Sequence, residues 1–393
     1  MSLTKRVCLF AGAALSMSAS ALAQSSSIDE SRALTSELLA DAGTRTSALA
    51  AAPAYTPRVG GYLQFRYNWN DRDVSVGEDS AVGFQTARTR VNVSGNVFQD
   101  NLSYFVQGGW GPGGEGFLED AFGTWKMENG WWITWGQTKL PLLREELVGD
   151  TNQLFAERSA FNWTFTQGRS QGVIFGFRSE QVQFRGAFSD GLGTANTDFT
   201  SGAEADFALT GRVDWKFAGQ WENFDDFTAF RNQEFAGMLG GALHYQGGGD
   251  TFATSDTDVI QGTVDVGIES NGWNVYAAGV WRSMDMSGGG DFDDFGFLVQ
   301  GGIFVAEQVE VVGRIDIVIP DSDRVNDDNF TTLTGGVNYY ISPGSHAAKL
   351  SADLQYFLEQ ASNSIVPTST TGGLLGSTDD GEWNFRVQMQ LVF

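Results

Sequence analysis

Lys139, Arg144, Glu145, Glu146, Glu157, Arg158 and Arg169 interleave cations and carboxylates along the longest stretch of the chain that has no regular alternation, roughly residues 140 to 171. Side chains of these types do electrostatic work. In a narrow, partly dehydrated space each fixed charge acts through a reduced effective dielectric, so a few of them decide which ions enter. The same charges can instead pair with one another and pin the segment that carries them. The residues alone leave both roles open.

Covalent and metal chemistry has little to build on. The chain has two histidines, His244 and His346, and neither accompanies a nucleophile elbow or a zinc-ligand spacing. Gly111-Pro-Gly113-Gly-Glu-Gly116 matches a dinucleotide fingerprint in letters. A strand pattern follows it, however, and the motif holds phosphates only at a helix N-terminus. Asp321 onward lacks the glycine and distal glutamate of a calcium loop. With Asp291, Asp293, Asp294, Asp323, Asp327, Asp328, Asp379 and Asp380 it reads as solvated acid in loops, the alternative being capture of divalent cations. No cofactor, no metal and no enzymatic activity are expected.

The elements around the charged stretch are strands. In Trp383-Asn-Phe-Arg-Val-Gln-Met-Gln-Leu-Val-Phe393 the apolar residues Trp383, Phe385, Val387, Met389, Leu391 and Phe393 share one face, and Asn384, Arg386, Gln388 and Gln390 the other. Period two is the signature of a half-buried strand. From Val59 onward the same pattern recurs, and sixteen strands are expected, at about 59–70, 84–98, 102–110, 118–127, 131–139, 172–178, 182–189, 206–217, 235–246, 257–269, 273–283, 294–305, 309–319, 330–342, 348–360 and 383–393. Tight turns such as Asp100-Asn101, Asn271-Gly272 and Ala306-Glu-Gln308 alternate with longer loops near 71–83, 140–171, 190–205, 284–293, 320–329 and 361–382. The segment 218–234 breaks the rule, being long where a short turn is due.

Fifty glycines, thirty phenylalanines and twelve tryptophans accompany a formal charge of −24, a balance opposite to that of nucleic-acid binders. Lys5-Arg6, the apolar run Val7 to Leu15 and Ala21-Leu-Ala23 form an expected signal peptide over residues 1–23. Its removal takes two bases and no acid, giving −26, and also takes Cys8, the one cysteine. Residues 24–57, with the capping box Ser27-Ile-Asp-Glu30 and a weak stripe at Leu34, Leu38 and Leu39, are expected as a short periplasmic helix and linker. The rest, 58–393, is expected as one all-β unit, a transmembrane antiparallel β-barrel. Tryptophans at strand ends, among them Trp69, Trp131, Trp215 and Trp383, suit interfacial girdles. A soluble sandwich or propeller would alternate in the same way; the export signal, loop asymmetry and girdles favour the membrane.

Gly136-Gln-Thr-Lys139-Leu-Pro141, Glu145-Glu146-Leu147, Phe155-Ala-Glu157-Arg158-Ser159 and Gly168-Arg169-Ser-Gln-Gly172 together resemble the phosphate-selective porin O and P family, particularly its divergent planctomycete-like members. The terminal Phe393 is similar to the signal by which outer-membrane barrels meet the insertion machinery. The resemblance implies an outer-membrane channel, bounded by lipid and lipopolysaccharide, that passes small hydrophilic solutes or ions. It also implies a homotrimer, and a loop 140–171 that folds into the barrel and narrows the pore. By alternation Arg66, Arg88, Arg90, Arg185, Arg212, Lys216, Arg282, Arg314, Lys349 and Arg386 face the lumen, against Asp214, Asp265, Glu269, Glu310, Asp316, Asp353 and Glu359. Arginines along a wall can hand an anion from fork to fork. Five lysines in the whole chain form no cluster for a concentrated anion site. The rival readings are a non-conducting adhesion barrel with cation-binding loops and a barrel hydrolase.

Overall fold

The computed structural model describes residues 57–72, 80–251, 256–370 and 372–393. The expected signal peptide, and the helical segment up to residue 56, lie outside them. Sixteen strands are present among the described residues: β1 Arg58–Asp71, β2 Ser80–Val97, β3 Gln99–Trp110, β4 Gly116–Lys126, β5 Trp131–Lys139, β6 Arg169–Arg178, β7 Val182–Ser189 and β8 Phe207–Ala218. The second half comprises β9 Ala236–Gly247, β10 Thr257–Ser270, β11 Trp273–Met286, β12 Gly290–Phe304, β13 Val309–Ile319, β14 Phe330–Tyr340, β15 Ala348–Phe357 and β16 Trp383–Val392.

Each strand pairs antiparallel with its sequence neighbours, and β1 pairs with β16, so the sheet is a closed barrel. At the seam Leu63 faces Leu391 and Phe65 faces Met389. Gly61 and Phe393 exchange backbone hydrogen bonds of 2.9 and 3.0 Å. Closure leaves no unpaired edge, the condition for strands to cross hydrocarbon. Phe84, Leu243, Val264, Phe297 and Leu354 point outward, and Gln64, Arg66, Gln261, Asp265 and Arg386 inward, an apolar-out, polar-in wall suited to lipid. No described helix is long and apolar enough to cross a membrane.

Some connections differ from expectation. A bulge in β2, opposite Gln64 and Phe65 of β1, leaves Ala87 without a register partner in β1. Ala87, expected on the lipid face, is therefore buried, and Phe84 and Val82 take up the outward face beyond it. The expected long loop 284–293 shrinks to 287–289, because β11 and β12 keep pairing up to Met286 and Gly290. That pairing moves Asp294 out of a solvated loop and into β12, where it is fully buried between Arg282 and Arg324. Glu359, expected on the lumen wall, lies past the end of β15 and accepts from the Thr331 amide.

The loop 140–168 enters the barrel, carrying two short helices, α1 Arg144–Leu147 and α2 Ala160–Phe165. Ser159 caps α2 by accepting from the Asn162 amide at 2.9 Å, satisfying one of the donors a helix start leaves free. Leu143, Leu154, Phe155, Phe161 and Phe165 pack on Tyr276, Leu298, Val312, Val318, Phe330 and Phe357, inward residues of β11 to β15, together with Val366 and Leu374 of the last loop. Burying each large side chain contributes about 1.5–3 kcal/mol. One side of the lumen is thus a dry core.

The long segment after β8 has its place in this arrangement. It turns back into the barrel from the short-turn end, through a 3-10 turn at Trp221–Phe224. Phe227 there packs tilted against Tyr276, ring centroids 4.7 Å apart, and donates its amide to the Asn152 carbonyl of the entering loop. The insertion supports that loop from below.

Candidate functional site

The entering loop has little internal secondary structure, so its backbone carbonyls need partners elsewhere. The barrel wall supplies them. Arg66 donates to Ala156 at 2.7 Å, Arg212 to Leu142 at 2.8 Å and Arg282 to Thr164 at 2.9 Å. Arg314 reaches Glu157 at 3.0 Å and Lys349 reaches Gln153 at 2.7 Å. Asp353, itself paired to Arg386 at 2.6 Å, accepts from the Ala156 amide.

The loop charges complete the clamp. Glu157 bridges Arg66 at 2.9 Å and Arg88 at 2.6 Å. Burial alone would raise its pKa, but the two guanidiniums outweigh burial and hold it at about 2. Glu146 is likewise at about 2, where Arg158 and Lys139 overcome its burial. Glu145, by contrast, is pushed up by burial, with Arg314 at 3.9 Å and the hydroxyl and amide of Ser159 as its partners. Arg158 binds Asp150 and the carbonyls of Glu145 and Val148. Arg144 lies over the Phe224, Phe227 and Tyr276 rings and donates to the Phe224 carbonyl.

Most wall residues expected to line water are therefore covered. The side chains of Arg66 and Arg212 are 0% exposed, and those of Arg314 and Arg386 1%. Arg88 and Arg282 are nearly as enclosed, while Arg90 is bound to Glu119 and Lys216 to the Gly219 carbonyl. Among the residues expected at the pore, three cations keep more of their surface: Lys139 at 14%, Arg169 at 17% and Arg185 at 21%. All three line a cavity of about 670 Å³ between the loop and the wall of the early strands, together with Asp120, Asp150 and Tyr62.

Local backbone features aim these groups. Gly136 has φ +115°, and a Cβ there would meet the Ala121 carbonyl at 2.2 Å, so only glycine carries β5 through that bend towards Lys139. Arg169, the first residue of β6, grips both oxygens of Asp120 at 3.0 Å and reaches Glu119 at 3.1 Å. Arg185 pairs with Asp214 at 2.8 Å. Asp150, Glu119 and Asp120 escape a reading confined to alternation and basic residues. Their signals were present: Asp150 stands inside the charged stretch, and two adjacent acids in one strand mark the bulge found opposite Gln107 and Gly108. His244 is buried and bonded to Thr210 and Gln246, a structural role.

A closed barrel with a lipid-facing apolar belt and a charged loop seated inside it defines an outer-membrane porin channel. The chain belongs to the phosphate-selective porin O and P family, whose model matches residues 59–283. Solved structures share the fold at low identity. OmpT of Vibrio cholerae aligns over 86% of this chain and 98% of its own, at 14% identity and a TM-score of 0.57. A trimer form of the same protein aligns over 86% and 99%, also at 14% and 0.57. The outer membrane channel DcaP of Acinetobacter baumannii aligns over 86% and 97%, at 11% and 0.57. No curated protein sequence matches the chain.

Proposed function

We propose that the channel passes small hydrophilic solutes and ions along the early strands and prefers anions. The observation that carries this reading is the charge around the 670 Å³ cavity. Among the lining side chains Lys139, Arg169 and Arg185 are set against Asp120 and Asp150, three cations to two anions. Asp150 is further held by Arg88 and Arg158, which adds positive charge beside the restricted space. Each cation also has an acid partner, which argues for a general anion preference over a dedicated phosphate site. Lys139, Arg169 and Arg185 are the filter in this reading, and Arg144, Glu145, Glu146, Glu157 and Arg158 hold the loop. A homotrimer is the assembly we infer, supported by the trimer form of the Vibrio cholerae relative; native mass spectrometry in detergent reads it directly.

The test of selectivity is the reversal potential in a potassium chloride gradient across a planar bilayer. Arg169→Glu is expected to move it towards cations, and Arg158→Glu to disturb current stability before selectivity. An unchanged potential in Arg169→Glu rejects the filter.

A further inference from the structure

The open side of the lumen carries rings where a water-facing wall ordinarily carries polar groups. Phe105 of β3 and Phe122 of β4 are register partners and stack with centroids 5.4 Å apart. Both line the cavity that holds Lys139 and Arg169, and neither is fully buried. They belong to none of the apolar clusters formed by the described residues, so the clamp does not account for them. Phe122 lies two residues from Asp120 on the same strand, which sets the ring pair roughly 7 Å from the Asp120–Arg169 pair. Further towards the short-turn end, Trp132 lines a second cavity of about 420 Å³ with Lys126 and Arg178.

We propose that the passage selects small organic anions with an apolar or aromatic body, carboxylates or sulfonates, over inorganic anions of equal charge. This rests on the anion reading above. The acid group meets Lys139 and Arg169 while the body lies against Phe105 and Phe122. A bare inorganic anion gains nothing from ring faces, whose quadrupole is negative. An apolar body leaves water there, and a ring adds an offset or edge contact. The strand rise of roughly 7 Å between Asp120 and Phe122 is on the scale of one benzene ring plus its acid group.

Benzenesulfonate and methanesulfonate separate ring from charge, since both stay ionised at all working pH. Their permeability ratio is read from bi-ionic reversal potentials with the full-length protein in a planar bilayer. Wild type is expected to favour benzenesulfonate in spite of its size. Phe105→Ser combined with Phe122→Ser is expected to lower the ratio about 5-fold, with chloride over potassium unchanged. Phe105→Tyr with Phe122→Tyr, which keeps the rings, should retain the wild-type ratio. If the serine variant does not assemble, Phe122→Leu carries the test with a drop of about 2-fold. A ratio that ignores loss of the rings overturns the proposal. Absence of chloride preference in wild type would mean that the anion reading itself had failed, and the proposal with it. Glucose entry into liposomes that falls as much as benzenesulfonate flux in the serine variant would assign the rings to neutral sugars and also overturn it.

Discussion

The two halves of the barrel use the same alternating wall for opposite ends. Along β10 to β16 the inward residues are buried almost to the last: Gln261, Asp316, Thr332 and Asn384 are fully enclosed, and Leu298, Val312 and Phe330 pack on the entering loop as in a soluble core. Along β2 to β7 the inward residues Asn92, Phe105, Phe122 and Arg185 keep part of their surface and border a cavity. Under the loop an inward arginine such as Arg314 or Arg66 is a fastener, and beside the cavity an inward arginine such as Arg185 is a charge that solutes meet. Pore-lining character is thus set by what covers a residue, since parity along the strand is the same in both halves.

The difference can be broken most strongly from the filled side. Phe161→Ala opens a cavity against β12 and β13 and is expected to cost about 3–5 kcal/mol, visible as a lower thermal midpoint in detergent. Conductance should also rise and become noisy, because the loop loses its seat. A quiet channel with an unchanged midpoint would show that the loop is held by its charges alone.

Acidification probes those charges. Glu157 and Glu146 have folded-state pKa values of about 2, below the ordinary value near 4.5. Each therefore contributes stability that is complete above about pH 4.5 and is lost as pH falls towards 2, on the order of 3 kcal/mol apiece at most. Current noise in wild type is expected to grow across that window. Glu157→Gln should be noisy already at neutral pH, and a silent Glu157→Gln channel would relieve Glu157 of the clamp.

The smallest effect belongs to the open side. Arg185→Gln is expected to cost about 1 kcal/mol, since the buried Asp214 keeps its pair with Arg212, and to shift the reversal potential by a fraction of the Arg169→Glu shift. A loss of stability on the scale of Phe161→Ala would place Arg185 with the fasteners.

Strand number, order and facing were legible in the sequence because they depend on a local period of two. Leu350, Leu354 and Tyr356 announce their face without help from the rest of the chain. The bulge at Ala87 and the lengthened hairpin around Met286 were not, since register is decided between strands. The filling of the lumen was invisible for a further reason. Val312 and Val318 read as interruptions in a polar inner face until a loop from more than a hundred residues away is set against them. The site was legible as a list of charges but not in its division of labour. That division depends on Asp150, Glu119 and Asp120 finding the arginines, and on which rings are left uncovered.

The seam between β1 and β16 is crossed on the inside by the loop. Ala156 and Glu157 are adjacent in sequence, yet one wall contact is Arg66 on β1 and another is Asp353 on β15, with β16 between them. Arg66 also holds Gln388 on β16, 322 residues away in the chain. Prising the first strand from the last therefore strains a ladder and an internal strut in parallel. The landing points on β1 and β15 come together only when the two ends of the chain have met, and contacts so far apart in sequence are slow to form, so seating Ala156 and Glu157 depends on closure of the barrel.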